Sequence, residues 1–255
     1  VLATDGDFNV GTVSHESLVD LIERKRDNGI ALTTLGFGQG NYNDHLMEQL
    51  ADHGNGNYAY IDTLMEARKV LVESLSGTLQ TIASDVKIQI EFNPATVAEY
   101  RLIGYETRIL RREDFNNDKV DAGDIGAGHS VTALYEVTPV GSPAQLADPL
   151  RYQPSDVVST RDELGFLKLR YKAPGEADSQ LIEIPIREGG EASADMRFAA
   201  AIAGFGQLLQ NSPYLGDWDY NQAIALANAA KGEDAYGYRA EAVRLMRLAQ
   251  SLSQR

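Results

Sequence analysis

Val1-Leu2-Ala3-Thr4-Asp5-Gly6-Asp7-Phe8-Asn9 opens the chain with an apolar run that stops at two carboxylates two residues apart. Leu18, Leu21 and Ile22 then recur at helical spacing, with Ser14 or Ser17 able to cap and Gly29 just beyond, which predicts a helix over 15–28. A strand is expected over 30–35. Asn43 can cap a helix bearing Leu46, Met47, Leu50 and Ala51, and Tyr58-Ala59-Tyr60-Ile61 reads as a third strand. Thr63 and Glu66 have capping-box spacing ahead of a helix carrying Leu64, Ala67, Val70, Leu71, Leu75 and Leu79. Short apolar runs alternating with helical periods mark an α/β unit with a parallel sheet over 1–84.

At Val86 the period changes from helical to alternating. Val86, Ile88, Ile90 and Phe92 are expected on one face of a half-solvated antiparallel strand, with Lys87, Gln89 and Glu91 on the other. Further strand candidates lie at 100–105, 130–137, 166–171 and 181–187, separated by Gly, Pro, Asn and Asp clusters, so 85–190 is predicted to be a β-sandwich domain. From Ser193 the period is helical again. Met196, Ala199, Ile202, Ala203 and Leu209 mark one stripe, Ile224 and Ala227 a second, and Val243, Met246, Ala249 and Leu252 a third, giving an α-helical segment over 191–255.

Charge and composition bound the function. The 255 residues carry 23 Lys and Arg against 37 Asp and Glu, a net −14, distributed as −7, −6 and −1 over the three segments. Such a surface repels phosphate backbones, so nucleic acid is not an expected partner. The absence of cysteine excludes disulfides, thiolate zinc sites and cysteine nucleophiles. The longest apolar run, from Phe198 to Gly206, is far shorter than the ~20 residues of a membrane helix, and no membrane insertion by this chain is expected.

Asp5 and Asp7 stand at the carboxyl end of a parallel strand, where open α/β sheets bind ligands and where clustered oxygens suit Mg²⁺, Ca²⁺ or Mn²⁺. A polar β-turn uses the same residues to bond backbone amides, and both readings stand. A strand into Thr4-Asp5-Gly6, a helix, Leu35-Gly36-Phe37-Gly38, then Leu46, Leu50-Ala51 and Gly56-Asn57-Tyr58 resembles the second half of a von Willebrand factor type A domain over about 1–75. Gly36 to Asp44 and Gly54 to Asp62 look like a bacterial envelope family in which that domain carries a C-terminal extension. Asn93-Pro94, Tyr100-Arg101-Leu102-Ile103-Gly104-Tyr105-Glu106 and Gly126-Ala127-Gly128-His129-Ser130-Val131-Thr132-Ala133-Leu134-Tyr135-Glu136 resemble that extension.

The resemblance implies a metal-ion-dependent adhesion site, formed by an Asp-x-Ser-x-Ser loop, a Thr and a further Asp. Asp5 matches the further Asp, and Asp7, which has no place among the pattern's ligands, is expected to support them from behind, but no Asp-x-Ser-x-Ser occurs in the chain. Divalent-ion binding is therefore expected to be weak or absent. By the same resemblance, the partner is another protein offering an acidic side chain, and the setting is the cell envelope or periplasm, with anchoring through a segment ahead of Val1. The family order places the strand ending at Thr4 beside a strand that this chain lacks. Its open edge is expected to pair with a retained N-terminal fragment or a second copy.

Asp114-Phe115-Asn116-Asn117-Asp118, followed by Asp121 and Asp124, spaces side-chain oxygens like a calcium loop and makes Asp114, Asn116 and Asp118 a second candidate site. Lys119 replaces the turn Gly and Ile125 the bidentate Glu, which excludes an EF-hand; a shortened calcium loop and an Asx-rich turn remain. Gly36-Phe37-Gly38-Gln39-Gly40 misplaces the third glycine of a dinucleotide fingerprint. His15, His45, His53 and His129 are scattered, with no His-Glu-x-x-His, and no nucleophile motif or P-loop occurs. Trp218, Tyr214 and Tyr220 read as anchors for the following helix. The function expected is a noncatalytic protein-interaction module. The alternatives are a metal-dependent hydrolase positioning water with Asp5 and Asp7, and a metal-independent scaffold working with a chaperone-like ATPase.

Overall fold

Three strands lie side by side in chain order: β1 (Leu2–Thr4), β2 (Thr34–Gly36) and β3 (Tyr58–Tyr60), all parallel, in the computed structural model of the chain. The structure describes residues 1–5, 14–38, 42–74, 77, 80–104, 109–120, 122–146 and 162–253. Asp7, Gln39, Gly40, Asn41, Leu75, Leu79, Tyr105 and Asp121 lie outside them. Two helices connect the strands, α1 (His15–Arg26) and α2 (Asp44–His53). Asn43 caps α2 as expected, its Oδ1 accepting from the Leu46 amide at 3.1 Å. Met47, Leu50 and Ala51 then bury against the central strand, where Leu35 is 4% exposed. The buried Thr34 hydroxyl donates to the Met47 carbonyl at 2.9 Å, so this core contains a polar group at no cost in lost hydrogen bonding.

The first departure from expectation is the second strand, which begins at Thr34 rather than at 30; Ile30 is exposed, and the Leu32 amide donates to Gly54 instead of entering a ladder. The second is the helix after Thr63. Thr63 Oγ1 accepts from the Glu66 amide, but Glu66 turns its carboxylate to Lys69 at 3.1 Å, and α3 (Leu64–Arg68) passes at once into a π-helical turn over Lys69–Glu73.

Antiparallel strands follow. A four-stranded sheet has the order β6 (Gly123–Gly126), β4 (Thr81–Phe92), β8 (Glu163–Lys172), β9 (Gln180–Arg187), and β5 (Val97–Ile103) pairs with β7 (Leu134–Pro139). The face assignment of β4 fails at two positions, Lys87 being 3% exposed and Ile88 40% exposed, whereas Glu91 is exposed and Ile90 and Phe92 are half-buried as expected. The cause lies in the strand itself, because its register against β6 shifts twice before Val86 and Asp85 takes a positive φ of 51°. Each shift places one extra residue in β4 and interrupts the regular alternation beside Val86. Near its end Phe92 packs tilted against Tyr100 of β5 with centroids 4.4 Å apart and meets Tyr135 of β7 edge-on.

The chain ends in three helices, α4 (Ala194–Leu209), α5 (Tyr220–Ala230) and α6 (Tyr238–Ser253). Ala201, Ala223, Ala227, Val243 and Met246 form their core, with Phe198, Phe205, Leu208, Trp218 and Ile224 packed around it. Small residues at the centre let the helices approach closely. The predicted stripe on α4 is displaced, since Met196, Ile202 and Leu209 are exposed and Ala201 is buried. Trp218 joins the core and Tyr220 meets Phe205 edge-on, whereas Tyr214 lies exposed beneath the Arg101 guanidinium at 4.6 Å. Among the described residues no helix is long and apolar enough to cross a membrane.

By contact density the chain forms two compact units. One comprises Val1–Gln89, Leu110–Ser130 and Lys168–Ile182, the other Ile90–Ile109, Val131–Leu167 and Glu183–Arg255.

Candidate functional site

Because β1, β2 and β3 are parallel, Thr4, Gly36 and Tyr60 share one register row at the carboxyl end of the sheet. Asp5 follows directly and is exposed, accepting from its neighbour's Thr4 Oγ1 at 3.4 Å. Gly38, with a φ of +100°, lies opposite: a Cβ built there would come within 3.6 Å of the Asp5 Cβ. Its carbonyl accepts from the Tyr60 hydroxyl, which ties the end of β3 to the loop after β2.

Sequence reading missed the tyrosines that build this corner. Tyr42 packs over the end of β2 so closely that a Cβ on Gly36 would fall 1.8 Å from its hydroxyl oxygen. It also tilts against Tyr60 with centroids 4.9 Å apart. Tyr42 and Tyr58 hydroxyls meet at 2.9 Å, and Tyr58 donates to the Asp44 carboxylate. Since Tyr58 has one hydroxyl proton and gives it to Asp44, Tyr42 must donate to Tyr58. Burial raises the Tyr58 pKa far above the ordinary phenol range, with its hydrogen bonds to Asp44 and Tyr42 adding to the shift; burial likewise raises Tyr42. Both stay protonated donors, which fixes the direction of the chain. A spacing of Tyr-x-Asp at 42–44 followed by Tyr-x-Tyr at 58–60 is the only trace of it in the sequence.

The second candidate site has a different character. Over Arg112–Asn116 the chain makes a 3-10 turn around the buried Phe115 and leads into Asn117 and Asp118. Asn116 Oδ1 and Asp118 Oδ1 accept from the two terminal nitrogens of Arg170, each at 3.1 Å. Lys87 Nζ donates to the Asn117 carbonyl at 2.5 Å, and Lys172 Nζ to the Asp118 carbonyl at 3.0 Å and to Asp85 Oδ2 at 2.6 Å. Ser179 Oγ donates to Asp118 at 2.5 Å, and this hydrogen bond, followed by the Arg170 and Lys172 charges, lowers the Asp118 pKa against the opposing effect of burial. Asp124 Oδ1 accepts from the Asp85 amide at 3.3 Å. The structure thus brings Asn116 and Asp118 together around cationic side chains from β4 and β8, while Asp124 bonds the backbone of Asp85. Asp114 contributes its carbonyl, which accepts from the Asn117 amide at 3.1 Å.

The fit to a divalent ion can be judged from these donors. Among the described residues no group of three or more His, Asp or Glu is placed to hold a metal. At the sheet edge Asp5 is one carboxylate where Mg²⁺ or Ca²⁺ takes six or more oxygens, so the described residues do not by themselves fit the ion. Of the histidines, His53 Nδ1 meets Glu23 Oε1 at 2.8 Å between α1 and α2, while His15 and His45 are exposed.

A family model described as "Uncharacterized protein YfbK, C-terminal" matches residues 77–252. The chain is 51% identical over 257 residues to "Uncharacterized protein YfbK" of Escherichia coli (strain K12), covering 99% of this chain and 44% of that protein. It therefore spans less than half the length of that relative. Two solved structures are similar at lower levels: "von Willebrand factor type A from Catenulispora acidiphila", at 16% identity and TM-score 0.41 over 96% of this chain and 57% of that one, and "ArnB paralog VWA2 from Sulfolobus acidocaldarius", at 14% and 0.35 over 79% and 48%. With the family model covering over two thirds of its residues, the chain belongs to the YfbK C-terminal family and carries ahead of the matched region the parallel sheet that bears Asp5.

Proposed function

We propose that the chain is a noncatalytic protein-interaction module that engages its partner along the outer edge of β1 and at the Asp5 corner. One observation carries this reading: among the described residues, β1 is an edge strand of a parallel sheet. The Leu2 amide and the Thr4 carbonyl bond toward β2, so the backbone N–H and C=O of Ala3 between them point away from it. Parallel strands are normally covered on both sides, and an edge of this kind accepts a further strand. The occupant is an N-terminal piece retained on the chain or a strand from a second copy. Asp5, at the end of that edge, offers a charged end point to the same partner.

Recognition is proposed without a metal step. From the described residues, an Mg²⁺, Ca²⁺ or Mn²⁺ ion at Asp5 would lack most of its oxygen shell, and at Asp114, Asn116 and Asp118 it would compete with Lys87, Arg170 and Lys172. Calorimetric titration with MgCl₂, MnCl₂ and CaCl₂ should give only weak binding. A tight site abolished by Asp5→Ala would overturn the metal-free reading, and one abolished by Asp114→Ala would move the metal to the second turn. Ala3→Pro deletes the outward donor and leaves the bonds to β2 intact, so it should release the strand partner, read as loss of a smaller species or of doubled mass on native mass measurement. An unchanged native mass would refute the edge as the interface.

A further inference from the structure

We propose that a groove between β5 and the end of α4 binds an extended, proline-containing segment of a partner protein. The groove has a volume of about 360 Å³, within the range of ligand sites, and is lined by Arg101 of β5, Gln207 and Gln210 around the end of α4, and the Ser212-Pro213-Tyr214 loop that follows. It lies within the second compact unit and shares no residue with β1. Backbone hydrogen bonds hold its loop wall in place. Asn211 takes a positive φ of 51°, the Ser212 amide donates to the Gln207 carbonyl at 3.0 Å, and the Tyr214 amide donates to Ser212 Oγ at 3.4 Å. Tyr214 then lies under the Arg101 guanidinium, 4.6 Å from the ring centroid, and is still 52% exposed.

Hydrogen bonding selects the occupant, because the contacts inside the groove consume acceptors and leave donors. Gln207 Oε1 accepts from Arg101 at 3.1 Å, and since a guanidinium has only donors, this fixes which end of the amide faces it. Both protons of Gln207 Nε2 are left without an acceptor among the described residues, as are the hydroxyl protons of Ser212 and Tyr214. Only the Gln210 carboxamide brings an acceptor of its own. The matching ligand is rich in carbonyl oxygens and poor in N–H groups. An anion would also accept, but Glu136 takes up the Arg101 charge, with Nε donating at 2.8 Å, and the chain carries a net −14. A proline residue has a carbonyl and no N–H, and a proline-rich segment holds an extended helix whose carbonyls are free of internal hydrogen bonds. Its rings need an aromatic surface, which Tyr214 supplies beside Pro213.

NMR titration of the isotope-labelled whole chain with acetyl-hexaproline amide tests this. The expected result is saturable shifts at the amides of Gln207, Ser212 and Tyr214, with an affinity that falls about tenfold in Tyr214→Ala, which removes the aromatic surface. Gln207→Glu keeps the bond to Arg101 but exchanges the two free donors for an acceptor, and should also weaken binding about tenfold. It serves on its own if circular dichroism shows that Tyr214→Ala loses helix. Ala3→Pro should bind the peptide as the parent does. Absence of saturable shifts, equal binding of a glycine-serine hexapeptide, or binding indifferent to both groove variants overturns the proposal. Loss of binding in Ala3→Pro overturns it in favour of the β1 edge, whose own test by native mass needs no peptide. Binding of hexaglutamate or of maltose in place of hexaproline overturns it in favour of an anion or a sugar.

Discussion

The Thr4-Asp5 corner and the Asn116–Asp118 turn both present carboxylate and carbonyl oxygens that a sequence reader would offer to a cation, and they meet opposite fates. At the turn, Lys87, Arg170 and Lys172 supply the positive charge from within the chain, and every oxygen named above has a nitrogen or hydroxyl partner. At the corner, Asp5 stands exposed beside a rigid frame of tyrosines. The difference teaches that oxygen spacing alone does not define a metal site. What matters is which charges the neighbouring strands deliver, and the four-stranded sheet delivers two lysines and an arginine where the parallel sheet delivers hydroxyls.

The comparison breaks most severely at Lys172. Its pair with Asp85 is mostly buried, with side chains 16% and 17% exposed, so Lys172→Met leaves a buried carboxylate and should cost about 3 kcal/mol in urea unfolding. A loss below 0.5 kcal/mol would mean that the turn does not depend on its cations. A smaller effect, about 2 kcal/mol, is expected for Gly36→Ala, because the new Cβ occupies the position of the Tyr42 hydroxyl and must displace the ring. Normal stability in that variant would show that the tyrosine frame is not packed as described. The finest test is acid. Asp118 has a lowered pKa in the folded chain, so its contribution is fully present above about pH 4 and is lost as pH falls through the folded-state value. Ser179→Ala removes the largest cause of that shift. Its Tm should lie below that of the parent at neutral pH, and the two should converge in strong acid; a gap that persists at low pH would assign the serine a role unrelated to Asp118 ionisation.

The alternation of short strands and capped helices was legible because each signal lies within a few residues of its effect. Asn43 caps α2, Met47, Leu50 and Ala51 face inward, and Asn93-Pro94 ends β4. Where the reading failed, a distant group had intervened. Gly123–Gly126 has no strand-forming side chains beyond Ile125 and becomes a strand through its pairing with β4. Lys87 is buried and Ile88 exposed against a plain alternating pattern, just after Asp85 takes a left-handed conformation in a strand whose register against β6 shifts.

The sequence by itself determined the mixed α/β class, the change from parallel to antiparallel strands and then to helices, and the oxygen-rich turn at 114–118. Tertiary structure alone decided what those oxygens hold. Lys87 reaches Asn117 across 30 residues of chain, Arg170 reaches Asp118 across 52, and Lys172 reaches Asp85 across 87. Local propensity acts through torsions and caps over a few residues, whereas an ion pair depends on strand order, register and the face that a bulge selects. Those are properties of the assembled sheet.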